Sequence, residues 1–79
     1  MISKIGAEWD AGVTPPGFGG QAGRWTVRRE ANRIIVYFYC FKERRENLLA
    51  EFPPTEQGER AARAFARRVC DNLQTTRMP

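Results

Sequence analysis

The stretch Arg33-Ile34-Ile35-Val36-Tyr37-Phe38-Tyr39-Cys40-Phe41 decides the fold. It is rich in β-branched and aromatic residues and holds no Gly or Pro, the signature of a central strand. At a period of two it splits into two sets. Ile34, Val36, Phe38 and Cys40 carry no strongly polar group and are expected to face a core. Ile35, Tyr37, Tyr39 and Phe41 point the other way, and the two phenols predict a partly exposed face, because a buried Tyr needs a partner for its hydroxyl.

Upstream, Arg24-Trp25-Thr26-Val27-Arg28-Arg29 alternates and reads as a neighbouring strand. Trp25 and Val27 belong with the core, Arg24, Thr26 and Arg28 with the opposite face. Glu30-Ala31-Asn32 supplies the turn. Downstream, the charged run Lys42 to Glu46 reads as a hairpin loop, and Asn47 to Phe52 as a third, shorter strand. Pro53-Pro54 ends it, since Pro donates nothing to a ladder.

Thr55 is placed to cap a helix over 55–74, with Glu56 and Glu59 near the positive end of its dipole. Ala62, Phe65, Ala66, Val69, Cys70 and Leu73 form its apolar stripe. Gly58 reads as an unfavourable residue in the first turn. Residues 11–23 collect glycines and Pro15-Pro16 and read as a loop in which Phe18 is the one large apolar anchor. Ile2 to Trp9 reads either as a fourth strand or as a segment packed across the sheet. The expected class is α+β: an antiparallel three- to four-stranded sheet on one C-terminal helix, a single domain spanning 1–79 with a Gly/Pro-rich segment at 1–23.

Composition narrows the function. The chain has 79 residues, no His and a net charge of +4. The absence of His removes Ser-His and Cys-His catalytic pairs and the commonest metal ligand. Cys40 and Cys70 lie 30 positions apart with no C-x-x-C, so they read as small buried hydrophobes, and neither metal nor cofactor is expected. The longest apolar run, Ile34 to Phe41, is eight residues. A spanning helix needs about 20. With no apolar leader at the start, a cytoplasmic protein in a bacterial host cell is expected. Gly17-Phe18-Gly19-Gly20-Gln21-Ala22 formally matches a dinucleotide fingerprint, but a strand follows it where a helix is required. Glu8 and Asp10 read as solvated charge, and no enzyme is expected.

Charge is uneven. Residues 1–23 hold Lys4, Glu8 and Asp10, a net of −1, and residues 24–79 carry +5, which together make the total of +4. Arg24 and Arg28 beside Tyr37 and Tyr39 form a basic-aromatic face, the pattern that nucleic-acid-binding sheets present. Such a face is equally open to coverage by the chain's own Trp9, Val13 and Phe18, or by a second copy in a homodimer. Arg60, Arg63 and Arg67, with Arg68 adjacent, form a secondary basic patch on the helix.

Gly23-Arg24-Trp25-Thr26-Val27-Arg28, then the long strand, then Phe52-Pro53-Pro54-Thr55-Glu56-Gln57-Gly58-Glu59-Arg60-Ala61-Ala62-Arg63-Ala64-Phe65-Ala66 resembles two related modules. One is the arm-site-binding domain of phage and transposon tyrosine integrases. The other is the plant ethylene-response-type DNA-binding domain. The resemblance covers residues 23–74 and implies a sheet lying in the major groove, with Arg24, Arg28, Arg29 and Arg33 on bases and phosphates. The chain departs from that pattern in its longer 42–46 loop, at Gly58, and in its N-terminal segment. The expected function is a small DNA-binding protein of phage or mobile-element type. The alternative is a phage-encoded inhibitor of the anti-CRISPR kind, docking on a host protein or nucleoprotein complex.

Overall fold

Four antiparallel strands form one sheet in the order β1-β2-β3-β4, and one helix lies across one of its faces. The computed structural model describes residues 3–14 and 22–76. The strands are β1 (Glu8–Thr14), β2 (Gly23–Arg29), β3 (Ile34–Cys40) and β4 (Arg45–Phe52), followed by α1 (Glu56–Thr76). The α+β class and the central position of β3 are as the sequence predicts.

Between sheet and helix sits a small core of Val27, Ile34, Val36, Ala62 and Ala66, flanked by Trp9, Ala11, Ala50 and Phe52. Register places Trp25 opposite Phe38 and Val27 opposite Val36, so alternate residues of β2 and β3 supply one layer. Trp25 is buried, its ring 4.9 Å from Phe38 and its indole N–H donating to the Thr14 hydroxyl at 3.1 Å. Cys40 and Cys70 are both buried and free. Among the described residues no helix is long and apolar enough to cross a membrane.

Three expectations need correction. Ala11 to Thr14 are strand, not loop. A one-residue bulge between Asp10 and Gly12 absorbs the irregularity, and Gly12 takes φ 134°, a conformation open to glycine. The helix also passes close there: a Cβ on Gly12 would stand 3.1 Å from the Cys70 sulfur. Phe18 lies outside the described residues.

The axis of the helix stripe is rotated from the expected one. Ala62, Ala66 and Cys70 are its buried line, whereas Phe65 is 38% exposed. Small side chains let the helix approach the sheet closely, and that approach pushes the bulky Phe65 to the flank. There it meets Phe52 at 5.9 Å. Leu73, also expected in the stripe, lies beyond the described side chains.

Gly58 is required rather than unfavourable. Thr55 caps the helix as expected, its hydroxyl accepting the Gly58 N–H at 3.0 Å. That cap folds the chain back so tightly that a Cβ on Gly58 would stand 2.0 Å from the Pro53 carbonyl oxygen. A smaller adjustment concerns the β3–β4 loop. Arg45 and Glu46 join β4, and the turn closes through Arg44 at φ 56° with its N–H on the Cys40 carbonyl at 2.7 Å.

Candidate interaction surface

The face of the sheet away from the helix carries Arg24, Arg28, Tyr37 and Tyr39 of the nominated residues. Register lines up Glu8, Arg28, Ile35 and Glu51 across the four strands, then Asp10, Thr26, Tyr37 and Leu48. A third row sets Val13 and Arg24 beside Tyr39 and Glu46. Trp9 is not part of this cover, because it packs on the helix side.

Arg28 is the centre of the arrangement. Its Nε donates to Glu8 at 2.8 Å and its Nη2 to Glu46 at 2.9 Å. The same Nη2 donates to the Tyr37 hydroxyl at 3.0 Å, and the guanidinium lies 4.5 Å from the Tyr37 ring centroid. Tyr37 in turn donates to Glu8 at 3.0 Å. The expected exposure of Tyr37 is therefore not found. It is 6% exposed, and its hydroxyl is satisfied by the charged groups lying over it. Burial pushes the Tyr37 phenol above its ordinary range, while the hydrogen bond from Arg28 holds the Glu8 carboxyl below its own.

Two other nominated arginines are similarly engaged. Arg24 pairs with Asp10, and Arg33 pairs with Glu30 at 2.7 Å and Glu51 at 2.9 Å. Carboxylates thus outnumber guanidiniums among these pairs, and the expected basic face is locally balanced. Cross-strand partners of opposite sign explain it: β1 and β4 contribute the acids that flank the arginines of β2. Arg29 is not on this face at all. Alternation turns it toward the helix side, where its stem sits with Val27 and Ile34.

The acidic partners are the residues that reading for basic motifs missed. Glu8 and Asp10 read in the sequence as solvated charge, Glu46 as a loop residue and Glu51 as part of the third strand with no partner assigned. Their position opposite the arginines follows only from the strand register and from β1 being a strand.

What the charged lattice leaves open is apolar. Leu48 is 51% exposed and Leu49 45% exposed. Both lie at a bulge where β4 offers one more residue than β3, opposite Tyr37. Phe41 is also exposed, and its ring meets the half-buried Tyr39 edge-on at 5.9 Å. Lys42 and Arg44 of the adjoining turn meet no carboxylate among the described residues.

On the helix, Arg60 pairs with Glu56 at 2.9 Å and Arg63 with Glu59 at 3.0 Å. Arg63 and Arg67 lie over the Trp9 ring at 5.3 and 5.5 Å. No protein-family model, curated protein or solved structure matches this chain.

Proposed function

We propose that the chain is a non-catalytic interaction module that docks on a protein surface, or on the protein part of a nucleoprotein complex. The contact is made by the β3–β4 end of the outer sheet face. One observation carries this reading: the arginines of that face are engaged by carboxylates, while Phe41, Leu48 and Leu49 beside them remain exposed. Aromatic and aliphatic anchors ringed by polar groups are the pattern of a protein contact. Phosphate binding at the same arginines would have to displace their carboxylates and leave those acids facing a polyanion.

Both edge strands carry a bulge, in β1 between Asp10 and Gly12 and in β4 opposite Val36 and Tyr37. Bulged edges disfavour strand addition, so the reading is face-to-face docking. A phage-encoded inhibitor that docks on a host protein or nucleoprotein complex is consistent with this reading, the chain being short and its outer face carrying exposed apolar side chains.

Nucleic-acid binding is the second reading, favoured by Arg67 and Arg68 on the helix, which meet no carboxylate among the described residues. A titration with duplex DNA at two salt concentrations separates the two. Docking on protein predicts no binding tighter than about 10 µM near 0.1 M salt, the level of generic electrostatic attraction. A photo-reactive residue at Leu48 should then yield one defined protein adduct, absent from the same residue at the exposed helix position Ala64. Tight DNA binding with a steep salt slope that Arg28→Ala flattens would overturn the docking reading.

A further inference from the structure

A small recess opens where the N-terminal segment, β2 and α1 meet. Ser3, Trp9, Arg29, Ile34, Glu59 and Arg63 are among its walls, and its free volume of about 10 Å³ has room for one water-sized group. The segment is tied down at this point. Glu59 accepts the Ser3 backbone N–H at 2.9 Å and its hydroxyl at 3.0 Å, and Arg63 reaches the same hydroxyl at 3.4 Å.

The donors at the recess are not all used. Nε and Nη1 of Arg29 and Nε of Arg63 are shut off from solvent and meet no acceptor among the described residues. A guanidinium N–H removed from water without an acceptor is costly, and more so for a charged group. Arg29 contrasts with Arg24, Arg28 and Arg33, each of which has its carboxylate. The local charge is positive. Arg29 and Arg63 line the recess and Arg67 lies near it over the Trp9 ring, while of the two lining acids Glu59 pairs with Arg63 and Glu8 commits its carboxylate to Arg28 and Tyr37.

We propose that this recess is an anion site that takes one oxygen of a tetrahedral oxyanion of the phosphate or sulfate class. Arg29 and Arg63 donate to that oxygen, and the rest of the anion stands at the mouth. Guanidinium groups suit such oxygens in charge and in donor geometry. Glu59, paired with Arg63 at 3.0 Å on the same helix, opposes a second anionic oxygen inside, which restricts entry to one. Because the recess joins three separate parts of the chain, its occupant also favours the folded state.

The test uses the intact chain and inorganic phosphate. Arginine Nε–Hε signals are followed by NMR in sodium phosphate and in sodium chloride of equal ionic strength and pH. Saturable shifts at Arg29 and Arg63 in phosphate alone, with the exposed Arg60 unmoved, are expected. The thermal midpoint should rise in phosphate beyond its value in chloride, and Arg29→Met should remove that difference. A short single-stranded oligonucleotide in chloride identifies the source. Shifts at lower concentration than phosphate requires mark a backbone phosphate, and shifts from inorganic phosphate alone mark a free anion. Equal responses to chloride and phosphate, or no saturable shift at Arg29 in the wild-type protein, overturn the site even if Arg29→Met fails to fold.

Discussion

Arg28 covers Tyr37. The guanidinium stands 4.5 Å from the ring centroid and also donates to that ring's hydroxyl at 3.0 Å. A tyrosine on the open face of a sheet is thereby made part of the interior by a charged neighbour, and Glu8 and Glu46 hold the neighbour in place.

Tyr37→Phe is expected to destabilise the fold by about 1.5–3 kcal/mol, the range for a hydrogen bond to charged groups. The apolar ring stays, so the loss reports the hydroxyl alone. Urea unfolding monitored by Trp fluorescence measures it. An unchanged midpoint would mean that the hydroxyl contributes nothing.

Position 58 offers a test in which two principles disagree. Replacing Gly by Ala within a helix ordinarily adds about 1 kcal/mol. Here the new methyl would stand 2.0 Å from the Pro53 oxygen. Gly58→Ala is therefore expected to cost about 2 kcal/mol or more by forcing the backbone apart. Thermal unfolding decides between the signs.

The helix seam gives a paired prediction. Phe65→Ala should cost about 1–2 kcal/mol, short of the roughly 3–5 kcal/mol of a fully buried Phe. Ala62→Leu, at a position with no exposure, should cost about 3 kcal/mol or more. If Phe65→Ala proves the worse of the two, the helix packs on the other line of its stripe.

Acid sensitivity should trace to Glu8 and Glu59. The Arg28 hydrogen bond lowers the Glu8 pKa, and the Ser3 backbone N–H lowers that of Glu59. A carboxyl with a depressed folded pKa stabilises fully above its unfolded value, about 4.3, and that contribution is lost as pH falls through the folded value. Stability should therefore decline as pH drops below about 4.3, and Glu59→Gln should flatten the decline. Unfolding midpoints measured across that interval test it.

Much of the fold was legible because its signals are local. The apolar run of β3, the alternation of β2 and the Thr55 cap each declare themselves within a few residues. β1 was obscured because Gly12 and its neighbours read as loop, and the bulge at Gly12 together with the helix crossing behind it explains the glycine. The surface was harder to read for a related reason. Arginines stand out in a sequence, whereas the acids that engage them come from strands far along the chain and meet them only through register. Phe65 misled because helical periodicity gives a stripe but not its centre. The centre is set by which residues are small enough to let the sheet in.

Over evolutionary time, the Pro53–Gly58 contact couples two sites that mutation would otherwise explore independently. Charges on the sheet can trade places in pairs and keep their balance, so the outer face is free to drift. No such exchange exists at 58, where any side chain meets the Pro53 carbonyl. Diverged descendants that keep this fold should therefore be recognised less by their arginines than by the proline-to-glycine spacing at the entrance to the helix.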